Sequence, residues 1–197
     1  KMTSHLYKIY YTRRMNMKAI VLFKEGFEEL EALSVVDVLR RADVKCDMLG
    51  MDSMEVISSH GVKVTMDCLF DESAYEADVV VLPGGMPGAS SLRSDQRVID
   101  ILKDFNQKGK WIAAICAGPI SLQKAGIIEN KQFTCYPGFE NEIPSGIYQD
   151  SFTCIDQNII TGRGPAAALE FAYTILEKLG VSSTNISQAM QYHYLKK

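Results

Sequence analysis

"WIAAICAGP", residues 111–119, is the stretch on which the reading of this chain turns. An apolar, strand-like run stops at Cys116, and a Gly-Pro pair follows at Gly118 and Pro119. A strand that passes into a helix through one residue strains that residue and projects its side chain over the sheet edge, as in a nucleophile elbow. Ala114 and Ala117 are small, Gly118 permits tight approach, and Pro119 suits a first helical turn. A thiol on that corner faces the N–H groups of a helix start, which favour thiolate. The same residues also fit a filler cysteine at a strand end, because free Cys is among the most buried residue types.

Working outward, short β-rich runs alternate with amphipathic helical segments. "KAIVLF" (18–23) and "VKCDMLG" (44–50) read as strands on either side of a helix over about 28–42. Residues 55–70 read as a hairpin with His60-Gly61 at its turn. "ADVVVLPGG" (77–85) is a continuous apolar strand ended by Pro and two glycines, followed by a helix over about 95–108. After the elbow come a helix over about 119–125, strand runs "FTCY", "SFTCI" and "NIITG", a helix over 165–179 and a closing amphipathic helix near 184–194. Strands apolar on both faces and alternating with helices predict an α/β fold with a mostly parallel sheet covered on both sides. In such sheets ligands bind beyond the carboxyl ends of the strands. Three unusual sequences fall there: "KEGFEE", "LPGGMPGA" and "ICAGP".

Composition narrows the function classes. The 197 residues are 47% hydrophobic and 23% charged, and at about 100–200 residues per domain one domain is favoured. A formal net charge of −3 argues against a nucleic-acid binder. No apolar run approaches the roughly 20 residues that cross a bilayer. The five cysteines, at 46, 68, 116, 135 and 154, are odd in number and form no C-x-x-C pair. They fit neither a disulfide framework nor a zinc site, so no metal or other cofactor is expected, and a reducing cytoplasm suits them. Residues 1–16, "KMTSHLYKIYYTRRMN", precede Met17-Lys18 and lack a signal peptide's apolar centre. They read as an upstream leader outside the core, leaving 17–197 as a single domain.

Glu31 favours the reactive reading of Cys116. Phe27, Glu31, Val35, Val38 and Ala42 share one helix face, and four of these five are apolar. Glu28 and Glu29 suit the first turn as acids facing the dipole. A carboxyl on an apolar stripe should instead have a raised pKa and become a hydrogen-bond donor. Beside a thiolate, such an acid would stabilise the sulfur's charge and shuttle a proton. Gly84 and Gly85 in "LPGGMPGA" let the backbone present N–H groups above the sheet, where they can hold a developing oxyanion. A phosphate loop is disfavoured, because its Lys-Ser/Thr ending is missing.

Together "EGFEELEA", "VVVLPGGMPGA", "IAAICAGP" and "TGRGPAAALEFA", in this order and spacing, resemble the ThiJ/PfpI family of the DJ-1 superfamily, from Met17 to about Leu195. The resemblance implies a flavodoxin-like three-layer α/β sandwich, similar to class I glutamine amidotransferases, and a homodimer. It matches Cys116 to the family's elbow cysteine, Glu31 to its partner glutamate, and Gly85 and the Ala117 backbone to its oxyanion-binding amides. The activities it implies are cofactor-independent glyoxalase or deglycase chemistry on small dicarbonyls or glycated adducts, redox-dependent sensing or chaperoning, and proteolysis.

The residues sort these. The peptidase-like branch has His directly after the cysteine, where Ala117 stands. Amidotransferases need a downstream His-x-Glu, and none of His5, His60 or His193 stands in one. A thiazole-phosphate role ranks last, since nothing reads as a phosphate site. Metazoan members carry a histidine at the position of Tyr136, so glyoxalase chemistry here would run through Glu31 alone. His60 and Arg163 fall in segments that could approach the site as accessory groups; Glu140 reads as surface. Cys46, Cys68, Cys135 and Cys154 read as strand filler.

Overall fold

The computed structural model describes residues 17–196. The expected leader over 1–16, and His5 with it, lies outside these residues. Seven strands form the main sheet: β1 (Lys18–Phe23), β2 (Lys45–Gly50), β5 (Cys68–Leu69), β6 (Val79–Leu82), β7 (Trp111–Ile115), β10 (Thr153–Asp156) and β11 (Ile159–Gly162). Their spatial order is β10-β11-β7-β6-β1-β2-β5, parallel throughout except for β10 against β11.

Side chains alternate across this sheet with the two-residue period of a strand, and both faces are covered. Ile20, Leu22, Val80, Leu82, Ile112 and Ala114 face one layer, made by α2 (Gly88–Ser94), α3 (Gln96–Gln107) and α4 (Ile120–Ala125). Val21, Phe23, Val79, Val81, Ala113 and Ile115 face the other, made by α1 (Glu29–Arg41) and α5 (Ala168–Lys178). Each fully buried aliphatic or Phe side chain contributes about 1.5–3 kcal/mol, so the three central strands anchor the molecule. Successive connections from β1 run first to β2 on one side and then to β6 on the other. The crevice where such a sheet reverses direction opens at the carboxyl ends of its strands.

Several local expectations need correction. The hairpin over 55–70 is shorter: β3 (Glu55–Ile57) pairs antiparallel with β4 (Lys63–Thr65), around Gly61 at φ +82°. Cys68 and Leu69 leave it to add an edge strand beside Leu49 and Gly50 of β2. The "FTCY" strand is confined to β8 (Gln132–Phe133), which pairs with β9 (Ile147–Tyr148) in a separate two-stranded sheet beside β10. Helix α2 has no counterpart in the sequence reading, because "MPGASS" carries turn residues rather than apolar periodicity. The helix expected from Pro165 starts with a 3-10 turn over Pro165–Ala167. The closing helix is likewise broken, into α6 (Thr184–Ala189) and a 3-10 segment (Tyr192–Lys196), with Gln191 between them at φ +59°. No helix among the described residues is long and apolar enough to cross a membrane.

Candidate active site

Cys116 follows β7 and adopts φ +63°, a left-handed conformation that costs a residue with a Cβ about 1–2 kcal/mol. The peptide is held on both sides. Its N–H donates to Gly162 O at 2.9 Å, and its carbonyl accepts the Tyr136 N–H at 3.0 Å. Gly118 N–H closes the corner on Ile115 O at 2.8 Å. A Cβ at Gly118 would stand 2.6 Å from Leu82 O, so the elbow packs directly on the end of β6. Cys116 retains 9% exposure, and the N–H groups of Ala117 and Gly85 donate to its sulfur.

Glu31 reaches the same sulfur from the first turn of α1. It is fully buried, beside Val35 and Val38 on the apolar face. Its Oε2 accepts the Gly84 N–H at 2.8 Å. Oε1 is sealed from water without a well-formed hydrogen bond, and the Cys116 thiol lies against the carboxylate. Glycine at 84 is a requirement of space. A Cβ there would come within 2.6 Å of Cys116 Cβ and 2.7 Å of Glu31 Oε2. Gly85, at φ +83°, is pressed equally hard against the backbone of residues 26–28.

The electrostatics follow from burial. Loss of water pushes Glu31 up to about 7; its bonds from Cys116 and Gly84 oppose this, while the charge of Glu28 adds to it. Burial also pushes the Cys116 thiol up, and an ionised Glu31 pushes it further, against the pull of the Ala117 and Gly85 amides. An ionised Glu31 therefore favours the protonated thiol. Thiol and carboxyl form a coupled pair, and the sulfur becomes anionic when Glu31 carries the proton.

The remaining candidates divide. Gly84 spends its N–H on Glu31, so it positions the acid, whereas Gly85 and Ala117 turn theirs toward the sulfur. Tyr136 meets the elbow through its backbone, and its half-exposed ring lines a cavity of about 280 Å³ with Pro137, Phe152, Arg163 and Gly164. Arg163 bonds the Tyr148 hydroxyl at 3.1 Å and pairs with Asp150. His60 is exposed and sits 3.0 Å from Glu29 Oε1 at the start of α1. His193 stacks on Tyr194 in the last segment. Glu140 caps its own turn by accepting Gly138 N–H at 2.6 Å.

Glu28 is the residue that the sequence reading undervalues. Rather than a first-turn acid, it is the N-cap of α1, with 7% exposure and its Oε2 accepting Glu31 N–H at 2.8 Å. Its signal is faint, because Glu is not among the favoured cap residues. Ligand atoms of Glu28, Glu29 and His60 lie within 4.8 Å of one another, but the cap and the His60–Glu29 pair already account for them.

Comparison with known proteins agrees with this architecture. The profile of the DJ-1/PfpI family matches residues 17–178. Protein dj-1beta of Drosophila melanogaster is 38% identical over 169 residues, 84% of this chain and 90% of that protein. Protein DJ-1 homolog B of Arabidopsis thaliana is 35% identical over 162 residues, 81% of this chain but only 37% of that relative's length. The crystal structure of Drosophila melanogaster DJ-1beta superposes with a TM-score of 0.86 at 34% identity, covering 89% of this chain and 98% of that one. The chain belongs to the DJ-1/PfpI family, and its α/β fold is flavodoxin-like.

Proposed function

We propose that this protein is a cysteine-dependent enzyme acting on small reactive dicarbonyls or on glycated adducts, with Cys116 as nucleophile and Glu31 as its proton partner. One observation carries the reading. A buried thiol on a strained corner touches a carboxyl whose pKa of about 7 lets it take up and return a proton at neutral pH. With a methylglyoxal-type substrate, Glu31 takes the thiol proton as sulfur bonds to the aldehyde carbon, giving a hemithioacetal. The Gly85 and Ala117 amides, which face the sulfur, support the oxyanion beside it. Glu31 passes the thiol proton to that oxyanion and is then free to remove the proton from the former aldehyde carbon. It returns that proton to the neighbouring carbon as the hydroxyl proton passes to the neighbouring oxygen. The first carbon is oxidised to a thioester while the second is reduced to an alcohol. Water cleaves the thioester, releasing a 2-hydroxy acid and the thiol. No external electron carrier is needed.

The reading includes a single functional unit over 17–197, a homodimer, and work in the cytoplasm. Neither described histidine is placed to replace Glu31, since His60 pairs with Glu29 and His193 stacks on Tyr194. Incubation with methylglyoxal should yield lactate, and Cys116→Ala should reduce it to background; equal rates would end the proposal.

A second reading, a redox-sensing stress protein or chaperone, draws on the unpaired Glu31 Oε1. A protonated carboxyl there could donate to an oxygen of Cys116 sulfinate and halt oxidation at that stage. Peroxide titration followed by intact mass should then show two oxygens added at Cys116. Oxidation scattered over all five cysteines would count against it.

A further inference from the structure

Three hydrogen bonds tie Glu28 into the site as a closed loop. Glu28 N–H donates to Gly84 O at 3.0 Å, Gly84 N–H to Glu31 Oε2 at 2.8 Å, and Glu31 N–H to Glu28 Oε2 at 2.8 Å. A neutral cap such as Ser would satisfy the Glu31 N–H equally well. The chain instead buries a second carboxyl, at 7% exposure, one helical turn from a carboxyl that is itself fully buried. Two acids in one desolvated corner oppose each other's ionisation.

The charges around them are few. From α1 come Glu29 and Glu31, from the elbow Cys116, and from the turn between β3 and β4 His60. The loop after β6 presents glycine amides alone. His60 is a cation whose charge acts on Glu28. It is held 3.0 Å from Glu29 and is exposed to solvent.

We infer that Glu28 is a positioning residue for the Glu31–Cys116 pair: it fixes the Glu31 backbone, and its negative charge delays the release of the pair's proton, an effect that His60 counters from the surface. This rests on the functional reading above and extends it to the control of that site by a neighbour that does not touch the sulfur. Burial raises the Glu28 carboxyl, and the charge of Glu28 in turn raises Glu31. Both directions follow from that arrangement.

The test is the pH dependence of Cys116 alkylation by iodoacetamide, read by intact mass between pH 5 and 9. Glu28→Gln keeps an oxygen for the Glu31 N–H and removes the charge, so its midpoint should fall by on the order of one pH unit. Glu28→Asp restores the charge and should bring the midpoint back toward that of the wild type. His60→Gln should move it upward by less, and 1 M salt should abolish that shift, because an exposed charge is screened. An unmoved midpoint in Glu28→Gln would reduce Glu28 to a helix cap and overturn the inference. If Glu28→Gln does not fold, His60→Gln carries the test, and a midpoint that stays or falls overturns it. Glu31→Gln separates the two levels. A profile unmoved by Glu31→Gln sinks the paired-site reading itself, whereas movement there with none in Glu28→Gln sinks only the role of Glu28.

Discussion

Cys116 and Cys135 are both buried free thiols of the same fold, yet their surroundings differ sharply. Burial pushes Cys135 up to about 12, with Glu140 adding slightly and Arg163 opposing. It sits in the core at 0% exposure, in ordinary packing, with no carboxyl pressed against its sulfur. Cys116 is also pushed up by burial, but it meets two amide donors and a carboxyl that titrates near neutrality. Desolvation alone therefore makes a thiol inert. What separates the two is a neighbour able to accept the proton and a backbone arranged to receive the charge left behind.

The largest expected effect removes that neighbour. Glu31→Gln should lower lactate formation by about 10²–10⁴-fold, the usual contribution of a positioned acid–base group. Cys116 would then behave like Cys135, and retained activity would erase the distinction. Gly84→Ala comes next. Its Cβ would lie 2.6 Å from Cys116 Cβ, so the elbow or the acid must shift. Activity should fall at least tenfold, and stability by about 1–3 kcal/mol on urea titration.

A subtler expectation concerns pH. The Glu31 carboxyl rises from 4.5 in the unfolded chain to about 7 in the fold. Between those values the folded chain holds a proton that the unfolded chain has released, so stability declines as pH climbs through the window. Above about 7 the whole penalty is present. Glu31→Gln lifts it, and should be more stable than the wild type by on the order of 2 kcal/mol at pH 8 but equal to it at pH 4. Urea midpoints at the two pH values check the sign. Smallest of all, Cys135→Ala should leave lactate formation unchanged and cost about 1 kcal/mol of stability. Loss of activity there would show that the two thiols are not independent.

Much of this contrast is legible in the sequence. "WIAAIC" followed by Ala-Gly-Pro betrays the elbow, because a strand, a small residue and a helix-compatible proline leave few other geometries. Glu31 stands out because a carboxyl interrupts an apolar stripe of helical period, and burial then raises its pKa as that pattern predicts. The parallel sheet follows from runs such as "VVVL", which are apolar on both faces. Other features depend on tertiary contacts that carry no local mark. Cys68 and Leu69 join the sheet because β2 offers a free edge, not because two residues have strand character. Gly84 reads as an oxyanion-binding amide until its N–H is found on Glu31. Glu28 reads as a first-turn acid facing the helix dipole until its burial and its N–H on Gly84 O are seen.

The backbone of Cys116 carries a further consequence. At φ +63° a glycine would rest more easily than any residue with a side chain. Cys116→Gly would relieve that turn but would also remove a side chain from the buried cluster that includes Ile115 and Phe171. Backbone ease and side-chain packing thus pull in opposite directions at this one position.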